Sequence, residues 1–144
     1  MRDYNIYLSG GMQKFGKEEF EKGNKWRIDF GCFFENCGSR YQVKVWNPNE
    51  YFNFVDEPRY ESELEVMRFD LYMLSRSDLV VVNFNDEKSL GTMAEMAIAY
   101  NKNIPIIGLN TERRNLHPWS QCMCERVFDD SDELLEYVRD FYLR

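Results

Sequence analysis

Leu79-Val80-Val81-Val82 is an unbroken apolar run rich in β-branched residues, and Ile104-Pro105-Ile106-Ile107 repeats its character downstream. Runs this short and without polar alternation fit strands covered on both faces. Residues 92–101 between them read as a helix, so the unit is strand, helix, strand, the signature of a parallel pair joined by a crossover. Working outward, residues 4–9 form a short strand that ends at Gly10-Gly11, and residues 15–30 a moderately amphipathic helix. Residues 42–46 are a further strand, stopped by Asn47-Pro48-Asn49. Over residues 61–75, Leu64, Met67, Leu71 and Leu74 recur at helical offsets and predict one buried face with Asp70 at its edge. The tail, 131–143, is another helix, with acids in its first turn and Arg139 and Arg144 towards its end, as the helix dipole favours. The order β-α-β-α-β-α-β-α predicts an α/β fold: one domain over residues 1–144, a flavodoxin-like or Rossmann-like parallel sheet with helices on both faces.

Composition narrows the partners. A chain of 144 residues with 44% hydrophobic and 16% aromatic content can bury a core, and its 30% charged fraction is ordinary for a folded soluble protein. Acids outnumber bases 25 to 18, and the resulting charge of -7 works against a nucleic acid polymer as partner. No stretch approaches the length of a membrane span and no secretory signal opens the chain, so no membrane partner and a cytoplasmic location are expected. Cys32, Cys37, Cys122 and Cys124 are spaced poorly for zinc and read as reduced structural thiols, so no metal is expected.

In open parallel sheets, ligands sit outside the carboxyl ends of the strands. The segments to weigh are therefore Ser9 to Met12, 47–51, 83–95 and 109–119. The richest is Ser89-Leu90-Gly91-Thr92-Met93-Ala94-Glu95, where hydroxyls, a glycine and a helix start coincide. Free backbone N–H groups there, with Ser89 and Thr92 and the close approach that Gly91 permits, can hold a phosphate or a sugar hydroxyl. The plain structural reading is a capping box, with Thr92 as N-cap and Glu95 reaching back to its N–H. Asp70 has the same two faces: a solvated acid paired with Arg68 or Arg76, or one of two carboxylates dividing nucleophile and acid roles at a glycosidic bond. Asp78 reads as a turn terminator.

Ile6-Tyr7-Leu8-Ser9-Gly10-Gly11, Arg68-Phe69-Asp70-Leu71, Ser77-Asp78-Leu79-Val80-Val81-Val82 and Ser89-Leu90-Gly91-Thr92-Met93-Ala94-Glu95, with Ala97, Ala99-Tyr100 and Ile104-Pro105-Ile106-Ile107, together resemble the nucleoside 2-deoxyribosyltransferase superfamily, including its 2'-deoxynucleoside 5'-monophosphate N-glycosidases. The resemblance implies catalytic roles for three residues: Glu95 as nucleophile forming a glycosyl-enzyme, Tyr7 holding its carboxylate, and Asp70 assisting departure of the base. Ser9, Gly10, Gly11, Ser89, Gly91 and Thr92 are the expected substrate-binding residues. Ser89 is informative, because the transferases acting on free nucleosides carry an aspartate there and the monophosphate glycosidases a serine. The implied reaction is cleavage of the N-glycosidic bond of a (2'-deoxy)nucleoside 5'-monophosphate or nucleoside, with the sugar passed to water. Transfer to a second base, or a non-catalytic nucleotide-binding module, are the alternatives. The implied partner is a small-molecule nucleoside or nucleotide, no cofactor is required, and a homodimer or larger homo-oligomer is expected, because family members commonly complete the site with a neighbouring subunit.

The segment 30–41 and Asn115-Leu116-His117-Pro118-Trp119 fall outside that resemblance. His117, the only histidine, reads as a loop residue fixed by Pro118. Arg113-Arg114 reads as a solvated pair or a phosphate neutraliser. Phe15, Trp46 and Trp119 are core aromatics or stacking surfaces for a base.

Overall fold

The computed structural model describes residues 1–11, 16–51, 61–86 and 88–144. Within them five strands, β1 (Asp3–Gly10), β2 (Gln42–Trp46), β3 (Leu79–Asn83), β4 (Ile106–Leu109) and β5 (Arg126–Phe128), pair in parallel in the order β2-β1-β3-β4-β5. The helices are α1 (Gly16–Asn36), α2 (Pro48–Tyr51), α3 (Glu63–Ser75), α4 (Leu90–Asn101), α5 (Pro118–Met123) and α6 (Ser131–Val138), the last continued by a π-helical turn, Arg139–Leu143. Of the flavodoxin-like and Rossmann-like arrangements expected from the alternation of elements, this strand order is the flavodoxin-like one. No helix among the described residues is long and apolar enough to cross a membrane.

Strand periodicity sorts the core into two layers. Ile6, Leu8, Leu79, Val81, Ile107 and Leu109 face α1 and α6, packing against Phe30, Phe34, Leu134, Leu135 and Val138. Tyr7, Val80, Val82 and Ile106 face the other way, against Met73 and Leu74 of α3 and Met96 and Ala99 of α4. That alternation decides the chemistry: residues 7 and 9 of β1 share the face that α4 covers.

Several sequence expectations are corrected. β5 was not expected; it has three residues, of which only Phe128 is buried, so it offers no apolar run to read. β4 starts at Ile106 rather than at residue 104, although Pro105 O still accepts the N–H of Val80. α1 runs on to Asn36, so the unmatched segment 30–41 is mostly its last turns, ended at Gly38 with φ +74°. The predicted buried face of α3 is out of phase. Leu64 and Met67 are 50% and 51% exposed, whereas Val66, Met73 and Leu74 are buried. The inward stripe is 66, 70, 73, 74, and Asp70 stands inside it, not at its edge. The tail helix yields to the π turn after Val138.

The carboxyl ends of β1 and β3 form the crevice from which α1 and α4 depart on opposite faces. Gly11 closes its floor. Its N–H donates to Asn85 Oδ1 (2.9 Å), and a Cβ there would sit 2.6 Å from Asp86 Cβ, so only glycine lets the two loops meet.

Candidate active site

Helical and strand periods bring the acids together. On α4, Thr92, Met96 and Ala99 are buried, and Glu95 belongs to the same inward stripe. It therefore meets Tyr7 and Ser9 from the facing strand. Tyr7 Oη donates to Glu95 Oε2, and Ser9 Oγ donates to Glu95 Oε1 at 3.1 Å. Ser9 is 1% exposed, so its hydroxyl serves the carboxylate. The capping-box reading is corrected here. α4 starts two residues earlier, with Ser89 as N-cap accepting from Thr92 N–H (3.2 Å) and lying 2.8 Å from Thr92 Oγ1. Glu95 is thereby released from capping and turned to the sheet.

Tyr7, Gly10, Asp70, Ser89, Gly91, Thr92 and Glu95 line one cavity of about 480 Å3, within the range of small-molecule sites. Burial raises the Glu95 carboxyl, while the hydroxyls of Tyr7 and Ser9 and the Arg27 guanidinium pull it back down. Burial and the Glu95 charge push Asp70 up to about 7, with Arg27 opposing. Tyr7 is raised well above its ordinary value by burial and by Glu95, and is a pure hydrogen-bond donor at neutral pH. The two acids differ in partners: Glu95 receives two hydroxyl donors that favour its charged form, which is the form a nucleophile needs. Asp70 is the member suited to hold a proton.

The α4 start opens on the cavity. The Thr92 and Met93 N–H groups are taken by Ser89 Oγ and Ser89 O, which leaves those of Leu90 and Gly91 beyond the reach of intrahelical carbonyls. A Cβ built on Gly91 meets nothing within 4 Å.

Other sequence candidates lie elsewhere. Gly11 is packed in the floor. Asp78 ties the α3–β3 turn by accepting Asn5 N–H at 2.8 Å, as a turn terminator should. His117 caps α5, its Nδ1 accepting Trp119 N–H at 3.1 Å, and Trp119 is 73% exposed. Trp46 is half-buried against the α3/α4 core. Arg113 pairs with Asp129 (3.0 Å) and Arg114 with Glu112 (2.6 Å), and both line a second cavity away from Glu95. Arg76 lies over the Tyr72 ring, 3.8 Å from its centroid. Phe15, Met12 and Glu87 lie outside the described residues. All four cysteines are free, and no cluster of metal-ligating side chains occurs among the described residues.

Arg27 was missed by the sequence reading. It lies 1% exposed on the inward stripe of α1 with Phe30 and Phe34, and it lines the cavity beside the acids. A charged residue at positions three and seven before two buried phenylalanines was the available signal.

A family model described as nucleoside 2-deoxyribosyltransferase matches residues 6–136. Among solved structures the chain is similar to a 2-deoxyribosyltransferase from Bacillus psychrosaccharolyticus, with 18% identity, TM-score 0.70, and coverage of 92% of this chain and 91% of that one. It is also similar to a 2-deoxyribosyltransferase from Leishmania mexicana (13%, TM-score 0.67, 97% and 99% covered). A third likeness is to the CMP N-glycosidase BcmB of Clostridium botulinum (21%, TM-score 0.64, 96% and 99% covered). No curated protein matches the chain.

Proposed function

The chain belongs to the nucleoside 2-deoxyribosyltransferase family, and from that premise we propose that it cleaves the N-glycosidic bond of a (2'-deoxy)nucleoside 5'-monophosphate and passes the sugar to water. The observation that carries this reading is the Glu95 carboxylate, gripped by Tyr7 and Ser9 and turned to a cavity that Asp70 shares. Glu95 attacks the anomeric carbon as the bond to the base breaks. The bonding pair goes to the ring nitrogen, and Asp70 delivers its proton to the base. Asp70, now a carboxylate, takes a proton from water as that water attacks the same carbon. The sugar leaves Glu95 and both acids return to their starting states.

Ser89, Gly91 and Thr92 are the proposed seat of the 5'-phosphate. The Leu90 and Gly91 N–H groups, unpaired among the described residues, and the positive end of α4 favour an anion there. The fold neighbour named as a CMP N-glycosidase supports a monophosphate substrate. Charge-assisted hydrogen bonds of this kind are worth roughly 1.5–3 kcal/mol, so kcat/KM for a monophosphate should exceed that of its nucleoside about tenfold or more. Ser89→Asp places a carboxylate against the phosphate and should erase or invert the preference while nucleoside turnover persists. The assay is competition between one nucleoside and its monophosphate, read by chromatography of the base released, with and without a second free base. Use of the unphosphorylated nucleoside alone, with an exchanged nucleoside as product, would establish the transferase instead.

Leu90 and Met67, 83% and 51% exposed, rim the cavity with apolar surface. A second copy covering that rim would complete the site, and sedimentation should find a dimer or larger. A monomer with full activity would contradict this.

A further inference from the structure

Arg27 is a buried cation with no carboxylate of its own among the described residues. Its Nη2 donates to Gly10 O at 3.0 Å, its Nε and Nη1 have no partner among the described residues, and the guanidinium stands 4.8 Å from the Trp26 ring centroid. It makes no ion pair among the described residues. A charge so placed is costly to bury, and a purely structural strut would not require one. What it faces is the cavity. Glu95 approaches from α4, Asp70 and the exposed Glu63 from α3, and Tyr7 from β1.

We propose that Arg27 is a positioning residue of the reaction: the fixed counter-charge for whichever of Glu95 and Asp70 is ionised, bonded to neither so that it serves both. The assignment rests on the roles given above to those two acids. In the resting site Glu95 carries the negative charge and Asp70 the proton. Once the sugar is esterified to Glu95 and the base has taken the proton, Asp70 carries the charge. The pair holds one negative charge at both stages, and one guanidinium balances it throughout. A salt bridge to either acid would favour one half of the cycle over the other. Through-space attraction from Arg27 lowers both acids, and their charges in turn oppose the burial that pulls the guanidinium down to about 10, so it remains protonated at neutral pH.

The test compares Arg27→Met, which removes the charge at similar volume, with Arg27→Lys, which keeps it. Turnover of the preferred substrate is measured across pH, and the Glu95 and Asp70 carboxyls are titrated by 13C NMR in substrate-free protein. In Arg27→Met both limbs of the kcat/KM profile should move up by about one pH unit, as loss of a nearby opposite charge demands. At the acid limb this is about a tenfold loss relative to wild type. Arg27→Lys should restore the limbs even where its amplitude stays low. A uniform loss across pH with limbs and carboxyl titrations in place, or a lysine variant indistinguishable from methionine, overturns the assignment. Should Arg27→Met not fold, Arg27→Gln, neutral but polar, makes the same comparison. If neither folds while the lysine variant keeps no wild-type limb, Arg27 belongs to the scaffold and the assignment fails. Carboxyl titrations that shift in a protein releasing no base would leave the counter-charge standing and refute the proposed reaction. Base release with unmoved titrations would do the reverse.

Discussion

Glu95→Gln is expected to abolish base release, by roughly four orders of magnitude or more, in a protein that stays folded. The amide keeps the shape of the side chain: its oxygen accepts from Tyr7 and its NH2 donates to the Ser9 hydroxyl, so the α4–β1 contact survives. It cannot offer a carboxylate to the anomeric carbon. Burial favours the change in another respect, because a neutral amide in place of a desolvated carboxylate lowers the cost of folding. The variant should therefore melt at or above the wild-type temperature while its activity disappears. Circular dichroism and released-base chromatography on one preparation check both halves. A folded variant with wild-type turnover would reduce Glu95 to a packing residue.

Asp70→Asn should cost roughly 10²- to 10⁴-fold in kcat for substrates whose base leaves poorly, and far less for an activated leaving group. Its effect is also one of pH. With Asp70 pushed up to about 7, kcat/KM in the wild type should fall as pH rises through neutrality, and the asparagine variant should lose that limb. Stability follows from the same shift. A carboxyl raised in the folded state binds its proton more tightly there than in the unfolded chain. Its contribution is complete below the unfolded value near 4 and is lost as pH rises towards 7. Asparagine has no charge to bury. At pH 8 the variant should melt roughly 3 °C or more above wild type, and at pH 4 the two should nearly coincide. Equal rate losses on good and poor leaving groups, with the basic limb intact, would make Asp70 structural.

These residues differ in how far the sequence revealed them. The strands announced themselves through apolar runs at 79–82 and 104–107, and the parallel pairing followed from alternation with helices, whereas the strand order did not. β5 escaped because Arg126 and Val127 lie at the surface of an edge strand, leaving one buried residue to carry a signal. The site was legible as motifs but not as geometry. Thr92-Met93-Ala94-Glu95 satisfies a capping box so well that local chemistry concealed the longer-range claim of Ser9 on Glu95, and that of Tyr7 came only with the family resemblance. The α3 stripe was misphased because Leu64 and Met67 look like core, yet they spend their apolar surface outside it, Met67 on the cavity rim. The competing stripe through Val66, Met73 and Leu74 contains an aspartate, and a pattern search discards it for that reason. Arg27 was passed over on the same ground. Charged residues inside apolar stripes are where stability and function part company, and here two of them, Asp70 and Arg27, line the same cavity as Glu95.

The measurement that bears most directly on the mechanism is mass analysis of the protein quenched in acid during turnover of a 2'-deoxynucleoside 5'-monophosphate, followed by peptide mapping. A covalent glycosyl-enzyme requires a mass increment equal to the deoxyribose phosphate moiety, confined to the peptide containing Glu95 and absent from Glu95→Gln. Steady release of base with no increment on that peptide, together with a sugar product of inverted configuration, would contradict it.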